Sequence, residues 1–285
     1  MSLVPRAVPL LGTALLALAM PLVLRAQAVT RYVRFETSAG VAYGIVEGDR
    51  VQELSGDYFS NPRRTGRSHA LSEVQLLAPV VPGKVIAVGL NYKSHLGERP
   101  GATYPGLFAK YPSSISGPSA DIVYPADAGN LHYEGEMVLV IGKRASHIAP
   151  EDAYEHILGA MAGNDVSERD WQANDLQWLR AKASDGFGPV GPMLVTGLNY
   201  DDLLVETRVN GEVRQHQRTV DLIFDVPTIV SYVSRYVTLE PGDLIFTGTP
   251  GSTQAVKPGD VIEVEVEGVG VIRNRVVADR RPGAH

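Results

Sequence analysis

The chain has 285 residues, with 26 Lys and Arg against 32 Asp and Glu, and a net charge of −6 at pH 7. That length can bury a sizeable core, and an acidic balance without any basic, aromatic-interleaved stripe argues against a nucleic-acid partner. The absence of cysteine excludes disulfides and thiolate catalysis in any compartment.

Arg6, the apolar run from Val8 to Leu24 and the small-x-small triplet Ala26-Gln27-Ala28 read as a secretory signal peptide over residues 1–28. The expectation is a secreted or periplasmic protein, with an uncleaved membrane anchor as the alternative. The 29 glycines and 19 prolines point to many turns between short strands. Residues 29–78 read as a small, mostly β domain with short strands around Tyr32–Phe35, Val41–Val46 and Val51–Leu54, followed by a polar linker from Ser60 to Ser68. Residues 79–285 form the remainder, opened by Pro79 and Pro82-Gly83.

Lys84–Gly89 is a buried strand that runs into Leu90-Asn91-Tyr92-Lys93-Ser94-His95-Leu96-Gly97-Glu98. His95 and Glu98 are three apart, so on a helical turn they share a face and can hydrogen-bond as a general base and its orienting carboxylate. A bland surface pair satisfies the same spacing. Leu107–Pro112 is a short strand carrying an isolated lysine, Lys110, and Ser113–Gly129 reads as loop.

Met137–Ile141 is a continuous apolar run, as in a strand buried on both faces, and Glu134 and Glu136 stand at its entrance. The i, i+2 spacing sends both carboxylates to one face. Either they face water at a strand end, or a hard divalent cation relieves their repulsion. A second strand of small residues, Gly159–Asn164, ends on Asp165. Arg169 and Gln172 follow on a short helix, and Lys182 precedes a Gly- and Pro-rich turn. The C-terminal third is β-rich. Asn210-Gly211 marks a hairpin, 227–236 a helix, and Gly248-Thr249-Pro250-Gly251 a loop able to offer backbone N–H groups to an anion.

Taken in order, Gly89-Leu90-Asn91-Tyr92…His95…Glu98, Tyr133-Glu134-Gly135-Glu136, Asn164-Asp165…Arg169…Gln172, Lys182…Asp185…Gly191-Pro192 and Gly242-Asp243…Thr247-Gly248-Thr249-Pro250 resemble the fumarylacetoacetate hydrolase family over roughly residues 80–280. The resemblance implies an α+β, mostly β fold: a mixed β-roll catalytic domain preceded by the small β-rich N-terminal domain, assembled as a homodimer. It implies Mg2+, or Mn2+, on Glu134, Glu136 and Asp165. It places His95 and Glu98 on a lid that activates water, Lys182 at the developing enolate, and Arg169, Gln172 and Thr249 against the substrate's carboxylate or oxo group. Gly186, where the family commonly has threonine, departs from the pattern, as does a signal peptide.

The activity so implied is a hydrolase, cleaving the C–C bond of an acylpyruvate-like 1,3-dioxo acid through a metal-bound enolate. The same site without water attack would serve an isomerase, hydratase or decarboxylase of a related 2-oxo or 2-hydroxydienoate diacid, 5-carboxymethyl-2-hydroxymuconate isomerase-like or oxaloacetate decarboxylase-like. A secreted protein that binds metal and oxo acid without turnover is the reading from another class.

Overall fold

The structure, a computed structural model, describes residues 28–280. The expected signal peptide therefore lies outside the described residues, save for Ala28. The fold is α+β and mostly β. Its main sheet runs, in spatial order, Arg64–Ala70, Arg50–Leu54, Gly40–Glu47, Thr30–Thr37, Gly188–Thr196, Ile157–Asn164, Gly135–Ile141, Leu244–Phe246, Val85–Gly89 and Gly106–Lys110. A second sheet runs Glu212–Arg218, Leu204–Val209, Val261–Val266, Gly270–Ala278 and Ile122–Tyr124.

The strand Gly135–Ile141 lies between two cores, which explains its unbroken apolar run. Met137, Leu139 and Ile141 pack with Val205, Val264 and Ile272 of the second sheet and with Ile229 and Val233 of the helix Val226–Tyr236. Val138 and Val140 face the other way, onto Met161, Leu194, Leu244 and Phe246. Period-two alternation thus feeds both clusters from one strand. The helix begins at Asp225, whose side chain accepts from the Thr228 N–H, a cap that satisfies one otherwise orphaned donor.

The strands from Thr30 to Ala70 form an antiparallel meander with its own small core of Val33, Phe35 and Val51. They are nevertheless hydrogen-bonded into the main sheet, where Tyr32 pairs with Leu194. The stretch expected as a polar linker is half strand: Arg64–Ala70 pairs with Arg50–Leu54. Its hydrophilic composition misleads because it is an edge strand, and Arg67 and His69 both reach back to the buried Glu53. Bonding to Arg67, against the opposing effect of burial, holds that carboxyl at a pKa of about 2. Ser113–Gly129, expected as loop, also contributes the short strands Ile115–Ser116 and Ile122–Tyr124.

Two glycines set how closely the layers approach at the start of the central strand. A Cβ on Gly135 would lie 1.9 Å from Thr207 Oγ1, and one on Gly163 would lie 2.4 Å from Val138 Cγ2. Replacing Gly135 by Ala is therefore expected to destabilise the fold by about 1–3 kcal/mol through overpacking. Urea titration checks this, and adding Thr207→Ala to Gly135→Ala should recover part of the loss.

Candidate active site

Antiparallel pairing gathers three carboxylates that are far apart in the chain. Gly135 lies opposite Asn164 and Glu136 opposite Gly163, and the Asp165 N–H donates to the Glu134 carbonyl at 2.8 Å. Asp165 therefore sits across from Glu134, with Glu136 two residues along the same face. All three are buried, and their oxygens lie within 4.8 Å of one another.

Three cations converge on this cluster. Lys182, on the short helix Leu179–Ala183, donates to Glu134 Oε2 at 2.5 Å and to Asp165 Oδ2 at 2.7 Å. Arg169 opens the helix Arg169–Asn174 and donates to Glu134 Oε1 at 2.5 Å and to Thr253 Oγ1 at 2.9 Å. Its other amino group donates to Gln172 Oε1 at 2.8 Å, so the i, i+3 pairing expected here is made. That helix is capped by the buried Glu168, which accepts from the Trp171, Gly129 and Asn130 N–H groups.

Lys110 is the third cation, and the sequence reading gave it no role. Its ammonium donates to Asp165 Oδ1 at 2.7 Å, to the Phe187 carbonyl at 3.1 Å and to the Lys182 carbonyl. Those three acceptors use all its hydrogens, so it fixes Asp165 and the Lys182 helix from behind. Lys182 spends two hydrogens on carboxylates and keeps one for the cavity. The available signal for Lys110 was its i, i+2 relation to Phe108, which lines that cavity.

These contacts set opposite proton affinities. Burial pushes Glu134 up, but Lys182 and Arg169 outweigh it and hold the carboxyl well below its ordinary value. Glu136 is raised well above the ordinary range, first by burial and then by repulsion from Asp165 and Glu134; the Gly248 N–H, which donates to it at 2.7 Å, does not offset this. Burial lowers Lys110 despite Asp165, whereas in Lys182 the two carboxylates outweigh burial and raise it.

The cluster suits a hard divalent cation. It offers three oxygen donors, and among the described residues no cationic side chain forms an ion pair with Glu136, whose charge Lys182 offsets only in part. The Gly248–Gly251 loop does present an N–H to an anion as expected, the anion being Glu136. The Thr249 hydroxyl donates to the Gly135 carbonyl and accepts from Gln215 Nε2. Its proton is committed to the scaffold, although Thr249 does line the cavity.

His95 and Glu98 do not pair as their spacing predicted. The helix Lys93–Leu96 ends at Gly97, which adopts φ +59, so Glu98 falls outside the helical turn and is exposed. His95 instead places Nδ1 on the Gly251 carbonyl and Nε2 3.4 Å from Glu134 Oε1. A carbonyl only accepts, so Nδ1 carries a proton and Nε2 is the atom that exchanges one. Neighbouring His132 bridges Asn130 and Thr253. Burial and then Arg169 lower its pKa to about 4, so it steadies Thr253 as a neutral ring.

The resulting cavity, of about 490 Å³, is lined by His95, Glu134, Glu136, Asp165, Arg169, Gln172, Lys182 and Thr249. All the site residues expected from the sequence thus meet here except Glu98. Residues 84–277 match the profile described as fumarylacetoacetate (FAA) hydrolase C-terminal. The chain belongs to the fumarylacetoacetate hydrolase family. Residues 30–79 match the Rv2993c-like N-terminal family. Mycobacterium tuberculosis protein Rv2993c is 42% identical over 265 residues, covering 88% of this chain and 100% of that one. A Bos taurus mitochondrial protein named oxaloacetate tautomerase FAHD2A is 42% identical over 221 residues, covering 72% and 70%. The structure of a Mycobacterium marinum protein called 2-hydroxyhepta-2,4-diene-1,7-dioate isomerase superposes with a TM-score of 0.83 at 41% identity, covering 88% and 100%.

The expectation of a secreted or periplasmic location is corrected by these relatives: the bovine family member that shares the catalytic region is a mitochondrial protein. No helix among the described residues is long and apolar enough to cross a membrane, and the expected anchor lies outside them.

Cation binding is expected to displace a proton from Glu136 wherever the pH lies below its raised pKa. Metal affinity should fall on acidification as protons compete for the site. The raised pKa also means that the metal-free fold loses stability as pH rises through the ordinary Glu range towards the folded value. Calorimetry in buffers of different ionisation enthalpy should detect the released proton in the wild type and not in Glu136→Gln.

Proposed function

We propose that this enzyme is a Mg2+-dependent isomerase of 2-oxo diacids, moving a proton between carbon and oxygen or along a conjugated chain. The posture of His95 carries this reading. Hydrolysis of an acylpyruvate needs a base that activates water with carboxylate support, and the expected support, Glu98, is exposed and outside the helical turn. Isomerisation needs only one proton-exchanging nitrogen above the acidic cluster, and His95 Nε2 is such an atom. The names of the bovine tautomerase and the M. marinum isomerase favour the same class of reaction.

Glu134, Glu136 and Asp165 would hold the divalent ion, which would supply Lewis acidity where negative charge develops on substrate oxygen. Lys182 adds an ammonium N–H on the side where negative charge grows on oxygen. Arg169, fixed by Glu134 and Thr253, offsets the charge of the carboxylate next to the oxo group. Gln172 gives its carbonyl to Arg169, which leaves its NH2 free to donate to substrate oxygen. His95 Nε2 takes the proton from the carbon beside the oxo group, and the C–H electron pair moves into the enolate. Return of that proton to oxygen gives the enol; delivery to the distal carbon of a diene shifts the double bond. No water is consumed and no carbon–carbon bond breaks.

The test follows the enol absorbance of oxaloacetate with Mg2+ and purified protein. Interconversion should exceed the buffer rate, and His95→Asn should lower kcat by about a hundredfold or more. Acetylpyruvate should yield no pyruvate; cleavage faster than tautomerisation would return the assignment to a hydrolase.

A further inference from the structure

We propose that Arg99 binds the far carboxylate of the substrate and is the residue that selects diacids over monoacids. This rests on the reading that the cluster takes a 2-oxo acid head.

Arg99 lines the same cavity as the acidic cluster but stands at its exposed end, in the segment that follows Gly97. The cluster itself is buried, so the cavity has a dry, head-binding floor and a wet, cationic mouth. The other two cations on its wall are engaged: Arg169 with Glu134, and Lys182 with Glu134 and Asp165. Among the described residues, Arg99 has no carboxylate partner. Part of the wall is apolar and aromatic. Val88, Phe108 and Trp178 line it, with the Phe108 and Trp178 rings edge-on at 5.3 Å and the Lys182 ammonium 5.1 Å from the Phe108 ring centre. The cavity therefore combines a buried acidic and cationic floor, an apolar wall and, in an exposed residue, a guanidinium without a carboxylate partner among the described residues. A ligand complementary to that set has a carboxylate at each end and a short carbon chain between.

Charge gives the same answer. The lining holds three carboxylates (Glu134, Glu136, Asp165) against three permanent cations (Arg99, Arg169, Lys182). With Lys110 behind Asp165 and a divalent ion added, positive charge exceeds negative, and a dicarboxylate offsets more of that excess than a monocarboxylate does. A guanidinium takes a terminal carboxylate in the bidentate geometry that an ammonium lacks. Arg99 is part of no packed core, so its replacement leaves the fold and the head site in place.

The experiment is calorimetric binding to the Mg2+-loaded full chain of 2-oxoglutarate and of 2-oxopentanoate, which shares its five-carbon chain and head but ends in a methyl group. The wild type should prefer 2-oxoglutarate, and Arg99→Gln should weaken it roughly ten- to a hundredfold, the worth of one charge-assisted contact. Binding of 2-oxopentanoate should stay within about twofold, and Arg99→Lys should fall between the wild type and Arg99→Gln. Equal loss for both ligands would make Arg99 a shaper of the cavity, and no loss for either would leave it uninvolved; each result overturns the proposal. Turnover enters neither arm. An Arg99-dependent diacid preference without oxaloacetate isomerisation would sink the reaction assignment alone, and isomerisation without that preference would sink only this proposal.

Discussion

Three carboxylates held together out of water are the constraint on which the rest of this structure depends. An unpaired buried charge is too costly to persist, so the pairing of Gly135–Ile141 with Ile157–Asn164 commits the fold to supplying positive charge at one place. It does so from three directions. Lys110 arrives on an edge strand, and Arg169 and Lys182 arrive on two short helices that follow Asp165. Glu136 is the member without a direct ion pair among the described residues, and that shortfall is what a divalent ion would make good.

The same cluster divides the neighbourhood into fixed and free groups. Lys110, Gln215, Glu168 and the Thr249 hydroxyl are saturated by the scaffold and hold its geometry. One hydrogen of Lys182, the amide nitrogen of Gln172, Nε2 of His95 and the guanidinium of Arg99 remain to meet a ligand. Donors beyond those the scaffold uses and an imidazole nitrogen beside the acidic cluster suit chemistry that relocates a proton on a chain with two acidic ends. The names of two relatives, an oxaloacetate tautomerase and a diene-dioate isomerase, denote reactions of that kind.

Much of the site was legible in local patterns. Glu134 and Glu136 at i, i+2 before an apolar run share a face because strand geometry requires it. Arg169 and Gln172 pair because their helix continues past both. The corresponding expectation for His95 and Glu98 failed because Gly97 ends the helix between them, and a spacing rule presupposes the helix it is applied to. Ser60–Ser68 read as linker because an edge strand need not be apolar. Lys110 stood out only as an isolated lysine on a strand, because nothing near it in sequence reveals Asp165, which is 55 residues away in the chain.

Composition, alternation and turn residues established a β-rich chain, an acidic pair at a core strand and an ordered set of motifs, since each depends on neighbours a few residues apart. Tertiary pairing alone decided that Asp165 stands opposite Glu134, that His95 turns from Glu98 to Gly251 and Glu134, and that Arg99 has no carboxylate partner among the described residues. Those outcomes depend on the register between distant strands and on which charges reach a common dry space, and such long-range electrostatics leaves no local periodicity to read.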